Sequence, residues 1–359
     1  MSDKKRKIDI LLLIVVLLLL IVGLVILYST SAYNGENKFG DSFYYLKKQC
    51  FATSLGLALM YAMANIDYHI WYKYAIGGYM IALLLSIAVI FIGDEYNGSK
   101  RWLSLGPFSF QPSEFAKIAV ILFLAVLITR MGKSVRKTSS MILILGLILP
   151  IVGLVGMSNL STAIIILGIA IALIFVSTPK YAQFIWMGVL SIAFLGVFLA
   201  LESYRLERIA IWQNPEEYEK GYQTIQGLYA IGSGGLFGVG LGNSVQKLGF
   251  VPEAQNDMIF SIICEELGMV GAGAIMILFL MLIWRFYAIA SNAKDLMGAL
   301  IASGAMAHIM IQVILNIAVV TNTIPNTGIT LPFISYGGTS VMFLLMEMGI
   351  VLNVSNLVE

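Results

Sequence analysis

The stretch Ile10–Leu27 reads "ILLLIVVLLLLIVGLVIL" and holds no charged side chain. An uncharged apolar run of about 18 or more residues reads as a membrane-spanning helix, whereas a shorter one would suit a buried core. The basic "MSDKKRK" before it and "STSAY" after it imitate a secretory signal with a poor cleavage site. The run exceeds the about 7–15 residues of a signal's apolar region, and many more apolar runs follow, so it reads as an uncleaved first span.

Working outward, the 359-residue chain is 59% hydrophobic and 12% charged, against about 25% charged in a soluble domain. That excludes a soluble globular fold. Ten apolar segments are expected, at about 9–28, 48–65, 74–93, 113–130, 140–157, 160–177, 183–200, 257–289, 297–320 and 339–355. Each approaches the about 20 residues a helix needs to cross a bilayer, and only helices satisfy their own backbone in lipid. The expected fold is an all-α polytopic membrane protein of one domain over 1–359. It has about ten transmembrane helices and a long extracellular loop, about 202–256, between the seventh and eighth.

Lys4, Lys5, Arg6 and Lys7 precede the first span, and Arg130, Lys133, Arg136 and Lys137 follow the fourth. Positive charge marks the cytoplasmic side, so both termini are expected there. The net charge of +2 includes no basic arm for nucleic acid. Cys50 and Cys264 both fall in or near apolar helices and read as ordinary buried cysteines, with no disulfide.

The unusual chemistry gathers in the segments expected outside, which include 29–47 and three richer stretches. In "RWLSLGPFSFQPSEFAK" (101–117), Pro107 and Pro112 break helix continuity and Ser113 can cap the next helix. Glu114 and Lys117 share a helical face about one turn into the membrane zone. They read either as an internal ion pair or as a cavity-facing cation for an anion; the second is favoured, because charges inside spans usually face a cavity. Arg101 stands just outside, and Trp102 alone reads as an interfacial anchor.

The long loop carries glycines at 232, 234, 235, 238, 240 and 242, but no Gly-Lys-Ser/Thr follows and no strand precedes, so a nucleotide loop is excluded. Lys247, Arg205 and Arg208 are cations of this loop, with headgroup contact the stronger reading for Arg205. In "PEAQNDMIFSIICEELG" (252–268), Asp257 stands at the mouth of a helix and Glu265 and Glu266 lie about 12 Å deeper by helical rise. Glu253 belongs to the loop that shapes the mouth. Buried carboxylates must be paired or protonated, and His308, Gln312 and Asn316 are candidate partners for the deeper two. In "PNTGITLPFISYGGTS" (325–340), Pro and Gly beside a span suggest irregular backbone lining a cavity. Ser335 and Tyr336 either line it or serve as filler.

Four blocks, "RWLSLGPFSFQPSEFAK", "GYQTIQGLYAIGSGGLFGVGLG", "PEAQNDMIFSIICEELG" and "TGITLPFISYGGTS", together resemble the signatures of the SEDS family, that of FtsW, RodA and SpoVE. They occur in the family's order, and the likeness covers the full chain, nearest the FtsW/SpoVE branch. The resemblance implies a glycosyltransferase that polymerises peptidoglycan from lipid II on the outer face of the bacterial cytoplasmic membrane, for division or sporulation. It further implies a class B penicillin-binding protein and other divisome or wall-synthesis proteins as partners, and location at the septum. Asp257 matches the family's essential aspartate, and Glu114, Lys117 and Trp102 match its Glu, Lys and Trp. One block departs: "SNLSTA" (158–163) lacks the aspartate of the family's "QPDLGTA".

For such a reaction Asp257 is expected as general base, worth about 10²–10⁴-fold. Lys117 is expected to stabilise the leaving pyrophosphate, with Lys247, Arg208 and Arg101 as weaker candidates. Glu253 and Ser335 complete the substrate-binding set. No organic cofactor is expected; a divalent cation, Mg or Mn, could share the electrostatic task. Two rival readings are a flippase or transporter for the lipid-linked precursor and a non-enzymatic scaffold for a transpeptidase.

Overall fold

A computed structural model describes residues 8–96, 99–105, 108–178 and 203–356, with positions 185, 188, 189 and 196. Helix α1 (Ile10–Phe39) starts at Asp9, whose carboxylate accepts from Leu12 N, and ends at Gly40 in the left-handed region (φ 65°). It runs past the expected end at residue 28, so most of the predicted 29–47 loop is helix. Its buried side chains, from Leu12, Val15, Val16 and Leu19 to Leu27, recur at helical spacing, while Ile10, Ile14, Leu18, Ile21 and Val25 are exposed. Both faces are apolar because one meets protein and the other lipid.

The chain continues through α2 (Tyr44–Asn65), α3 (Trp71–Ile92), α4 (Pro112–Met131), α5 (Thr138–Ser158) and α6 (Leu160–Ser177). Next come the short α7 (Ser203–Gln213) and α8 (Tyr222–Ser233), then α9 (Ile259–Ser291), α10 (Leu296–Val320) and α11 (Gly338–Asn356). Among the described residues, eight helical segments are long and apolar enough to cross a membrane. Helix α2 is 22 residues long but is not among the eight. The expected span 183–200 lies outside the described residues apart from four isolated positions, as does the side chain of Arg205.

Helix α4 is the axle of the bundle: Ala116–Val126 are buried without a break. Helix α2 packs along α11, where small residues admit close approach; a side chain at Gly349 would meet the Met60 carbonyl. Cys50 is exposed on α2, not buried as expected, and Cys264 is buried; both are free.

Before α4 the sequence led to no strand, yet β1 (Asp94–Tyr96), β2 (Ser99–Leu105) and β3 (Phe108–Phe110) form an antiparallel meander. Helix α4 then begins with Pro112 at its first turn and Gln111 as N-cap, so Ser113 is not the cap; its Oγ accepts from Gln111 Nε2 at 3.1 Å.

The connections sort into two ends. At one end Asp9 pairs with Arg285, and His69 bridges Asp67 and Asp295, at 2.6 Å each. At the other, Arg101 Nε donates to Ser158 O at 3.0 Å, Arg208 Nη1 to Asn326 O at 3.0 Å and Trp212 Nε1 to Asn322 O at 2.9 Å. The meander, the 203–258 segment and the 321–337 segment are thus knotted together at this second end.

The glycine-rich run lies against α9 backbone to backbone. Val239 N donates to Glu265 O at 2.9 Å, Gly240 N to Glu266 O at 3.0 Å and Met269 N to Gly235 O at 3.0 Å. Helix α9 is broken there at Gly268 (φ 65°, ψ −169°). Side chains at Gly234, Gly238 or Gly268 would fall within 2.5 Å of backbone atoms.

Candidate active site

Asp257 lies just before α9, at the end where the loops meet. Its peptide is held from beneath: Asn316 Nδ2, on α10, donates to Asp257 O at 2.9 Å and to Ile329 O at 2.6 Å. Gln223 Nε2, on α8, reaches Asp257 Oδ1 at 3.5 Å. Gly328 adopts φ +69°, and a side chain there would stand 3.7 Å from Arg101 Nη1 and 3.8 Å from Asp257 Oδ2. A bare glycine therefore leaves the carboxylate and the guanidinium close together with space between.

The carboxyl is half-buried. Burial pushes it up to about 6, and the negative charge of Glu253 adds to this, while its own backbone N–H, Arg101 and Arg208 oppose it. An ordinary aspartate sits near about 3.9; the structure moves Asp257 towards neutrality, where it is ionised at pH 7 yet a better proton acceptor. Glu253 is exposed, holds a left-handed backbone (φ 52°) and accepts from Asn256 Nδ2 at 2.5 Å.

Lys117 is 1% exposed, so its charge needs partners. Glu114 Oε1 stands 3.0 Å away and Gln312 Oε1 accepts from Lys117 Nζ at 3.0 Å. Glu114 in turn accepts from Ser340 Oγ at 2.8 Å. The pair also lines a small cavity of ≈ 40 Å³, with Gln111, Asn159, Thr162, Gln312, Gly328 and Thr330. Both open readings of this pair are therefore realised at once: an internal ion pair whose cation faces a cavity. Gly328 belongs to the same cavity wall and adjoins Asp257, which makes one site of the two groups.

Other expected site residues divide. Arg101 and Arg208 sit where their charge acts on Asp257. Trp102 neighbours Arg101 on β2, and alternation along a strand sends the two side chains to opposite faces. Lys247 is buried against Glu266 at 2.6 Å and donates to Ser29 Oγ at 2.9 Å, so its charge is spent inside the protein rather than offered to a leaving group. Ser335 is buried and its Oγ accepts from Leu331 N at 2.8 Å, which makes it a turn-holding residue of the irregular segment.

The deep glutamates are also corrected. Glu265 accepts from Ser244 Oγ and from Val245 N at 3.0 Å, and Glu266 from Lys247 and Ser29. Their partners come from the long loop and α1, not from His308, Gln312 and Asn316. Those three serve Glu347, Lys117 and the Asp257 peptide.

Asn159 and Thr162 were passed over in the sequence because their block departs from the family pattern. Asn159 caps α6, accepting from Thr162 N at 3.2 Å, and both residues line the cavity. The signal available was an Asn before an apolar helix, a cap pattern. Among the described residues, no three His, Cys, Asp or Glu side chains converge as a metal cage.

Comparison with known proteins shows the chain's relatives. The chain is 41% identical over 362 residues to stage V sporulation protein E of Bacillus subtilis, covering 99% of each. It is 35% identical to a probable peptidoglycan glycosyltransferase FtsW of Geobacter sp., covering 93% of this chain and 92% of that one. The solved rod shape determining protein RodA of Thermus thermophilus superposes with a TM-score of 0.74 at 27% identity, covering 98% of both chains. A chain of a solved peptidoglycan synthase complex that coordinates polymerization and crosslinking superposes with a TM-score of 0.82 at 28% identity, covering 97% of this chain and 98% of that one. The family model for FtsW, RodA and SpoVE, described as cell cycle protein, matches residues 9–359. This chain, a polytopic helical membrane protein with its polar chemistry gathered at one end, belongs to the FtsW/RodA/SpoVE family.

Proposed function

We propose that this protein is a peptidoglycan glycosyltransferase that joins lipid II units into glycan strands. The observation that carries the reading is the half-buried Asp257, raised to about 6 and flanked by Arg101 and Arg208, beside Gly328, which lines the cavity that Lys117 faces. In glycan extension an acceptor hydroxyl attacks the anomeric carbon, the hydroxyl proton passes to Asp257, and the bond to undecaprenyl pyrophosphate breaks with its electron pair on the phosphate oxygen. A hydroxyl is a poor nucleophile, and a base near neutrality removes its proton most effectively. Lys117, Arg101 and Arg208 supply positive charge where the pyrophosphate develops negative charge. Glu114 holds Lys117, and Glu253 borders the mouth. A divalent cation would find one carboxylate in Asp257 and draw its other ligands from phosphate and water.

Ten spans, with the seventh over 183–200 and the long loop after it, form the arrangement we propose for the whole chain. Asn159 stands at the cavity just before α6, and Arg208 is back at the same end. By the positive-inside pattern that end faces outward from the bacterial cytoplasmic membrane, with both termini inside. The likeness to a chain of a synthase complex supports a class B penicillin-binding protein as partner, in division or sporulation at the septum.

The test is purified protein in liposomes with lipid II, with and without the partner and with metal varied. Glycan strands on a gel are the expected product. Movement of labelled lipid between leaflets without strands would favour a flippase. Strand synthesis in the partner complex that survives Asp257→Asn would favour a scaffold.

A further inference from the structure

Apart from Ser303, the polar side chains of helix α10 form a stripe at four-residue spacing, His308, Gln312 and Asn316, each at most 2% exposed. Residues four apart share a helical face. Polar groups at such depth are costly unless partnered, and this stripe is partnered on three sides, with Asn316 Oδ1 and Glu347 Oε1 left over. Glu347 Oε2 of α11 lies 2.8 Å from His308 Nδ1, and Gln312 Oε1 lies 3.0 Å from His308 Nε2. Gln312 Oε1 also takes Lys117 Nζ at 3.0 Å, and Gln312 Nε2 donates to Thr330 O at 3.0 Å. Asn316 Nδ2 holds the Asp257 and Ile329 carbonyls.

The donor and acceptor inventory allows this network one orientation. Lysine only donates and the Thr330 carbonyl only accepts, so the Gln312 amide cannot be flipped. Its oxygen therefore faces two donors, which makes His308 Nε2 an N–H. One proton then remains between His308 Nδ1 and Glu347 Oε2, and that pair carries no net charge wherever the proton sits. Lys117 has three N–H groups. Glu114 and Gln312 hold two, and among the described residues the third has no partner and is left for the cavity. Fixing two donors of a tetrahedral ammonium fixes the direction of the third.

We propose that Gln312 and Asn316 are positioning residues, with His308–Glu347 as their brace. One rigid helix sets Lys117 and Asp257 at a constant separation across the cavity. Gln312 aims the ammonium, and Asn316 fixes the peptide that carries the carboxylate. As positioning for catalysis this rests on the proposed polymerase reading. As a hold on Lys117 it is tested without activity.

The experiment uses the full chain in lipid nanodiscs, with amount and thermal midpoint measured for every variant. Lys117 labelling by reductive methylation is followed by mass spectrometry, and lipid II turnover is measured in parallel. Gln312→Met should speed Lys117 labelling at least about threefold, because an ammonium released from one of its two fixed partners is freer to meet the reagent. Gln312→Glu retains an acceptor and adds a negative charge, so labelling should be no faster than in the wild type. In turnover, Gln312→Met should cost about tenfold or more alone, yet add less than about twofold to Lys117→Met, since partners in one interaction are non-additive. Asn316→Leu should lower kcat by about 10–100-fold with KM within about threefold, the signature of a misplaced catalytic group. Asn316→Asp, of the same shape but without the two donors, should do the same if Asn316→Leu misfolds. Unchanged labelling in Gln312→Met, or Gln312 and Lys117 losses that multiply, would overturn the proposal. If wild-type protein makes no glycan while labelling responds as stated, the polymerase reading falls and the hold on Lys117 stands.

Discussion

Lys247 and Glu266 meet at 2.6 Å, with both side chains withdrawn from solvent. One belongs to the loop before α9 and the other to α9 itself, two residues before the break at Gly268. Ser29 of α1 bonds both. The pair therefore fastens three chain segments beneath the site without entering it.

Lys247→Met is expected to leave Glu266 as an uncompensated buried charge and to cost about 3–5 kcal/mol. Adding Glu266→Gln should recover most of that loss. Thermal midpoints in detergent check both. Because the pair lies away from the cavity, KM for the substrate should change less than about threefold in the folded fraction.

Asp257→Asn should reduce polymerisation by at least about 10²-fold, the lower bound for a positioned base. It should not unfold the protein. The carboxyl's folded value, about 6, lies above the ordinary one, so above pH 6 the fold bears a charge it disfavours. Asp257→Asn should therefore raise the thermal midpoint at pH 8, with the gain fading as pH falls from about 6 to about 4. A lowered midpoint at pH 8 would contradict the burial argument.

The wild-type pH profile follows from the same group. A general base works ionised, so turnover should rise with pH through about 6 and level off above it. An ordinary carboxylate would place that rise near about 4. Initial rates between pH 4.5 and 8, at saturating substrate, separate the two.

Gly328→Ala should impair turnover by about tenfold with little loss of folded protein. Its φ of +69° costs an L-residue about 1–2 kcal/mol. The distances to Arg101 and Asp257 are those of ordinary contact, so the backbone strain, not a clash, is the expected cause. Gly77→Ala, with open space around it on α3, is the control and should be neutral.

Membrane class and Asp257 were legible from the chain because each depends on local pattern: an uncharged run, and a carboxylate where polar loop gives way to apolar helix. Glu114 and Lys117 were legible for the same reason, three residues apart on one turn. What escaped was pairing across the bundle. Nothing near Lys247 in sequence says that it lies against Glu266 and Ser29, since helix packing alone brings α1 and the loop together. His308, Gln312 and Asn316 were seen as a buried polar set but matched to the wrong carboxylates, because the facing helix cannot be read from spacing. The meander before α4 was hidden by its shortness, with two strands of three residues, too brief for an alternating pattern to emerge.

The backbone crossing at Gly234, Gly238 and Gly268 has a consequence for reading sequence variation. None of these residues carries chemistry, yet each stands where even a methyl group would strike main-chain atoms. In a saturation mutagenesis experiment the three positions should refuse every substitution as sharply as Asp257 does. A ranking of positions by intolerance would thus mark out two centres in this protein: one around the proposed base, and one where two strands of main chain need room to pass.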